Sequence, residues 1–131
     1  MKKIFTKNEL LAEAQCGHIG NVKLLIELGA ILDTKSKDGL TALMMAAEKG
    51  HAEIVQLLIE KGADLNVKDK DGWTALISSA YKGHTDVVKL LIEKGANINS
   101  KNKKGHTALT IAAEKGHTEI VKLLQDKSAV S

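Results

Sequence analysis

The sequence predicts an all-α repeat protein, a solenoid of stacked helix–turn–helix units with extended loops between them. The first observation is a fixed period, because the Gly-His dipeptides at residues 17–18, 50–51, 83–84 and 116–117 follow one another at intervals of 33 residues. A period of this length indicates an array of one small structural unit. The second observation is that the 131 residues include only one Phe, one Trp and one Tyr. The interior must therefore consist of small and branched aliphatic side chains, which suit thin helical layers better than a large globular core.

The unit at residues 38–70 illustrates the pattern. Thr41 precedes a segment of periodic apolar residues, where its hydroxyl can cap the first helix by accepting from a free backbone N–H. That helix is expected to end at Gly50, which can adopt a positive φ. A second helix is expected to begin with Glu53 near the positive end of its dipole and to end at Gly62. A polar, turn-rich loop then leads into the next unit.

The other units repeat these signals at the same spacing. Thr74 and Thr107 stand at the position of Thr41, and Asn8 occupies the equivalent N-cap position at the start of the chain. We therefore expect a single domain over residues 1–131. Its four units lie at about residues 5–37, 38–70, 71–103 and 104–131.

The segment GLTALMMAAEKGHAEIVQLLIEKGA at residues 39–63 resembles the ankyrin repeat, and four matching copies extend the resemblance over about residues 8–124. The resemblance implies stacked helix pairs with loops projecting sideways as β-hairpin-like fingers. It also implies a concave face, formed by the fingers and the first helices, that binds partner proteins. This chain departs from the family pattern after each capping Thr. Where the family has Pro it has Ala42, Ala75 and Ala108, and where the family has His it has Met44, Ile77 and Thr110.

The first and last units are expected to act as caps. Glu13 replaces the small residue found at Ala46 and its equivalents, and Gln125 replaces an Ile that the other units share. Polar outer faces on terminal units keep a finite stack in solution. We therefore expect a complete four-unit array that is monomeric.

No catalytic, metal or cofactor site is predicted. Four of the five histidines recur once per unit, and stacked helices lie roughly 8–10 Å apart, whereas zinc ligands must converge within about 2.0–2.1 Å of one ion. We expect these histidines to form local hydrogen bonds near the second helices. Cys16, the single cysteine, lacks a partnered base and is expected to be a surface thiol at the end of the first helix. The glycines match neither a P-loop nor a dinucleotide-binding motif.

Positions that differ between equivalent units are the candidate binding positions, because the scaffold does not dictate them. They fall on the first-helix ends and on the loops at about residues 33–40, 66–73 and 99–106, which we call the first, second and third fingers. Trp73 and Tyr81 belong to this set and are expected to be exposed central anchors, since interface hot spots favour these residues. The predicted partner-binding residues are Leu40, Glu48, Lys68, Lys70, Asp71, Trp73, Tyr81, Lys82, Lys101, Lys103, Lys104, His106 and Glu114.

The charges of the fingers indicate the kind of partner. The first two fingers mix Lys with Asp, whereas the third contains Lys101, Lys103 and Lys104 and no acidic residue. The leading hypothesis is a non-catalytic protein-interaction module, acting as an adaptor, inhibitor or immunity-type protein, whose partner carries an acidic segment.

Two alternatives stay open. One is an engineered or consensus-like scaffold without a natural partner, as the near-identical units suggest. The other is a polyanion or nucleic-acid binder, although the net charge is only +3 and Arg is absent. No apolar signal segment follows Met1-Lys2-Lys3 and no stretch is long enough to span a membrane, so a cytoplasmic location is expected.

Overall fold

The computed structural model describes residues 8–130, with the side chain of the last of these left out. The expected start of the first unit at residue 5 and the N-terminal segment tested for a signal sequence lie outside the described residues. The described part contains eight helices and no strand. The helices are α1 (Glu9–Cys16), α2 (Ile19–Glu27), α3 (Ala42–Lys49), α4 (Ala52–Glu60), α5 (Ala75–Lys82), α6 (Thr85–Glu93), α7 (Ala108–Lys115) and α8 (Thr118–Val130).

The helix boundaries follow the capping signals of the sequence. The Thr41 hydroxyl accepts from the backbone N–H of Met44 at 3.3 Å, and Thr74 and Thr107 form the equivalent bonds at the starts of α5 and α7. Asn8 is an exception, because it makes no side-chain capping bond. Its φ of −90° and ψ of −9° are helical, whereas capping requires the extended backbone seen at the three threonines.

The helices form two stacked layers. The first helices pack in the order α1, α3, α5, α7, and each contacts the second helix of its own unit, which lies in the outer layer. Ala46 and Ala112 on the first helices are fully buried, and Ser79 replaces them in the third unit with its hydroxyl bonded to the Leu76 carbonyl. The burial of these small side chains is consistent with the close stacking of the first helices.

The repeated histidines connect neighbouring units, which corrects the expectation of local hydrogen bonds. In each of three units the ring Nε2 donates to a backbone carbonyl oxygen 36 residues earlier, in the preceding unit. The pairs are His51 with Gln15 at 3.1 Å, His84 with Glu48 at 2.8 Å and His117 with Tyr81 at 3.0 Å. Only His18, which has no preceding unit in the described residues, bonds locally, to Glu13 at 2.6 Å.

The fingers are tight turns. In the second finger the Asp69 N–H donates to the Trp73 carbonyl at 2.9 Å, which closes a hairpin turn without a strand ladder. Single backbone bonds join neighbouring fingers, from Lys70 N to Asp38 O and from Lys103 N to Asp71 O, both 3.0 Å long. The stack is therefore continuous along its finger edge as well as through its helices.

The exposed surface of the first unit combines polar groups around Glu13 with apolar side chains farther along the unit. Glu13 accepts from Asn21 and pairs with His18, and these hydrogen bonds, that of Asn21 first, lower the pKa of the Glu13 carboxyl. On the second helix and the loop after it, Leu24, Leu28 and Ile31 are exposed. The polar surface expected of this cap is therefore interrupted by exposed apolar side chains on its second helix and on the loop after it. In the last unit Gln125 is exposed, as expected.

Candidate functional site

The centre of the candidate site is an aromatic pair in the third unit. Trp73 immediately precedes the capping Thr74, and Tyr81 lies near the end of α5, so helix length and cap position together bring the two rings onto one surface. Their centroids are 5.5 Å apart at an interplanar angle of 88°, an edge-to-face contact. Tyr81 is 36% exposed, but Trp73 is half-buried and packs against the core. The prediction of two exposed rings is therefore correct for Tyr81 and wrong for Trp73, whose finger folds back onto α5.

A pocket lies on each side of this pair, and Asp71, Trp73 and Tyr81 line both of them. The N-terminal pocket lies toward the second unit and has a volume of about 290 Å³, whereas the C-terminal pocket lies toward the fourth unit and has about 540 Å³. The other residues of the N-terminal pocket are Leu40, Glu48, Asp69, Ser78 and Lys82. The other residues of the C-terminal pocket are Asn102, Lys103, Lys104, His106, Ile111, Glu114 and Lys115. We call the surface that contains both pockets the finger face.

Two lysines flank the Tyr81 ring. The Nζ atom of Lys115 lies 4.8 Å from the ring centroid and that of Lys82 lies 5.7 Å from it. Both distances allow cation–π attraction, which holds the ammonium groups beside the ring. The apolar wall between the pockets therefore has a positive charge on each side.

The tips of the second and third fingers are fixed by one kind of hydrogen bond. The Asp69 Oδ1 atom accepts from the backbone N–H groups of Asp71 and Trp73, both at 2.9 Å. The Asn102 Oδ1 atom accepts from Lys104 and His106, both at 3.0 Å. These bonds position Trp73 in one finger and His106 at the equivalent place in the next.

Most of the predicted site residues meet on this face. All except Lys68, Lys70 and Lys101 line at least one pocket. The Lys68 ammonium instead donates to the Lys101 carbonyl at 3.1 Å, and that of Lys70 lies 3.8 Å from an Asp38 carboxylate oxygen. These three lysines lie on the fingers but line neither pocket.

The prediction missed four lining residues, which are Asp69, Ser78, Asn102 and Ile111. A fifth, Lys115, is a variable position at a first-helix end that the predicted set left out. Asp69 and Asn102 carried a usable signal, because Ser36, Asp69 and Asn102 differ at one repeated position. Ile111 follows the apolar pattern of the core, and no local signal separates it from the other buried aliphatic residues.

Other chemistry is sparse in the described residues. Within residues 8–130, no group of three or more His, Cys, Asp or Glu side chains could hold a metal ion. Cys16 is a free, exposed thiol at the end of α1, as expected. None of the eight described helices combines the length and apolar character needed to cross a membrane.

Comparison with known families agrees with the geometry. One model of ankyrin repeats in three copies matches residues 64–130, and a second, of ankyrin repeats in many copies, matches residues 24–77. No curated protein matches the chain. The two family matches, together with the stacked helix pairs and fingers, show that this chain belongs to the ankyrin repeat family.

Proposed function

We propose that the chain is a non-catalytic, monomeric cytoplasmic protein that binds one partner protein on its finger face and acts as an adaptor, an inhibitor or an immunity-type protein. Ankyrin repeats are in general protein-interaction modules, which supports the class of function. The single observation that carries the choice of surface is the aromatic pair of Trp73 and Tyr81 between two pockets. Aromatic anchors near the middle of a patch, surrounded by polar residues, are typical of binding hot spots.

The charges around the pair favour a partner segment that carries acidic residues. Lys82 and Lys115 flank the Tyr81 ring, and two lysines of the third finger, Lys103 and Lys104, extend the positive surface along the C-terminal pocket. Complementary charges of this kind raise association rates and suppress unsuitable partners.

Affinity capture from the native cell tests this proposal. The wild-type chain is expected to retain a protein that the Tyr81→Ala variant does not retain. Leu24→Ala is the matched control, because Leu24 is also an exposed apolar residue but lies on α2, in the outer helix layer. Equal retention by wild-type and Tyr81→Ala protein, with loss in Leu24→Ala, would move the binding surface to the outer helices.

A second candidate function is binding to a polyanion through the third finger, where Lys101, Lys103 and Lys104 occur without an acidic residue. This function predicts binding to heparin with a steep salt dependence and without a contribution from Tyr81. Heparin binding that is lost when the three lysines are neutralised, and kept in Tyr81→Ala, would favour it over the protein-binding proposal.

A further inference from the structure

Asp69 and Asn102 lie at equivalent positions, 33 residues apart, and both stabilise the turn of their own finger. In each residue Oδ1 accepts two backbone N–H bonds from its own finger. These donors require an oxygen, so they fix the orientation of the Asn102 amide. The second terminal atom of the side chain is therefore the acceptor Oδ2 in Asp69 and the donor Nδ2 in Asn102. Asp69 lines the N-terminal pocket and Asn102 lines the C-terminal one.

The Asn102 amide nitrogen has no hydrogen-bond partner. The residue is only 6% exposed, and among the side chains of residues 8–129 this is the single buried polar atom without a partner. A buried donor without an acceptor is unfavourable, and that penalty is removed when an acceptor binds to it. An incoming oxygen atom is the complement that this position lacks.

The charged residues of the two pockets follow the same division. The N-terminal pocket has three carboxylates, those of Glu48, Asp69 and Asp71, against the one ammonium of Lys82. The C-terminal pocket has three lysines, Lys103, Lys104 and Lys115, against two carboxylates, those of Asp71 and Glu114. The formal charge therefore changes from negative to positive across the aromatic pair.

We infer that the two pockets select opposite charges on one extended segment of a partner protein. The C-terminal pocket binds a carboxylate side chain, which accepts from Asn102 Nδ2, and the N-terminal pocket binds a Lys or Arg side chain. An apolar residue between the two covers the edge of the Trp73–Tyr81 pair. This inference rests on the proposed protein-binding function and narrows it, because a uniformly acidic segment would be repelled from the N-terminal pocket.

The repeat geometry sets the spacing of the two charged residues. Neighbouring packed helices lie roughly 8–10 Å apart. In the extended polyproline II conformation a chain advances about 3.1 Å per residue with about three residues per turn, so side chains three positions apart lie on the same face. The acidic and the basic residue of the bound segment are therefore about three positions apart.

Selection from a displayed library of random linear peptides tests the inference directly. Wild-type protein is expected to enrich peptides in which an acidic and a basic residue flank an apolar one at about that spacing. A synthetic peptide of the enriched sequence is then titrated by fluorescence anisotropy. Replacing its acidic residue by the neutral amide is expected to weaken binding by about tenfold or more, as losses of buried charged hydrogen bonds do.

Two isosteric protein variants assign each charge to its pocket. Asn102→Asp keeps the Oδ1 acceptor but replaces the donor by a carboxylate oxygen. It is therefore expected to weaken binding of the enriched peptide. It should have much less effect on binding of the peptide whose acidic residue is replaced by the amide. Asp69→Asn is the matched control. It is expected to reduce the contribution of the peptide's basic residue to the binding affinity and to leave the contribution of its acidic residue unchanged. Thermal melting by circular dichroism verifies that both variants are folded.

The outcomes separate this inference from the function on which it rests. Enriched peptides without the charge pattern, or peptides that bind Asn102→Asp as tightly as wild type, would overturn the inference. If these peptides still lose binding to Tyr81→Ala, the protein-binding function stands. Failure to enrich any peptide also overturns the inference, because it requires a linear segment, and capture of a folded partner through Tyr81 would again leave the broader function intact.

Discussion

The contact between each repeated histidine and the glycine of the preceding unit allows a sharp test of how the stack is held together. Gly50 and Gly116 both end a first helix with a left-handed backbone, at φ values of 79° and 77°. A Cβ atom placed on Gly50 would lie 2.8 Å from Nδ1 of His84, closer than real contacts allow. A Cβ atom on Gly116 would meet nothing within 4 Å. The same substitution therefore separates backbone strain from a clash between units.

The magnitudes follow from these two terms. An alanine in left-handed backbone costs roughly 1–2 kcal/mol at either position. Only Gly50→Ala also overpacks a filled site, which costs about 1–3 kcal/mol more. The His84 ring cannot simply rotate away, because its Nε2 is bonded to the Glu48 carbonyl at 2.8 Å. We expect a loss in the free energy of unfolding of about 2–5 kcal/mol for Gly50→Ala and about 1–2 kcal/mol for Gly116→Ala.

Urea unfolding followed by far-ultraviolet circular dichroism measures both losses, and unchanged slopes show that whole-domain unfolding is being compared. Adding His84→Ala is expected to bring the cost of Gly50→Ala down toward that of Gly116→Ala. Equal losses for the two single variants would show that the ring moves freely and that the contact between histidine and glycine does not constrain the stack.

Three further predictions concern packing, binding and protonation. Ala46→Leu should destabilise the domain by about 1–3 kcal/mol, measured by urea unfolding, because Ala46 is fully buried and leaves no room for a larger side chain. Trp73→Ala should cost roughly 2 kcal/mol or more in partner affinity, whereas neutralising the third-finger lysines should slow association and flatten its salt dependence in stopped-flow measurements. The Glu13 pKa is lowered, first by the Asn21 hydrogen bond. The stabilisation by the Glu13 carboxylate is therefore present above the pKa of Glu13 in the unfolded state, and it is lost as the pH falls through the pKa of Glu13 in the folded state. Asn21→Ala should raise the folded-state pKa of Glu13, measured by NMR titration.

The fold could be predicted because its signals are local and repeated. A hydroxyl such as that of Thr41 starts each later first helix, and a glycine such as Gly50 ends it, so the boundaries follow from short segments. The bond from His84 to the Glu48 carbonyl could not be predicted in this way, because its partners lie 36 residues apart and meet only after the units stack. Asn8 shows that residue type alone does not predict a cap. Asn is suitable for capping a helix, but the backbone of Asn8 is helical and its side chain forms no capping bond.

The site was only partly predictable, because several of its residues have a structural role in the fold and also line the pockets. Trp73 was expected on the surface from its variability between units, but its neighbours in space place half of it against the core. Asp69 and Asn102 were not predicted as site residues, and both accept from backbone N–H groups of their own fingers, a structural role that does not mark them as binding residues. Because the turn alone explains an acceptor side chain at these positions, the acceptor gives no separate sign that the same side chains also line the pockets.

The repeats themselves indicate which part of such a residue is free to serve binding. In the first finger Ser36 supports the turn with its hydroxyl, which accepts from the Leu40 N–H at 3.1 Å, so the turn requires only one acceptor atom. Asp69 and Asn102 supply that atom equally well and differ only in the second atom of the head group. The turn does not account for that difference, whereas the charges of the surrounding pockets change in the same direction. The second atom at this repeated position is therefore where the sequence can set binding specificity without altering the scaffold.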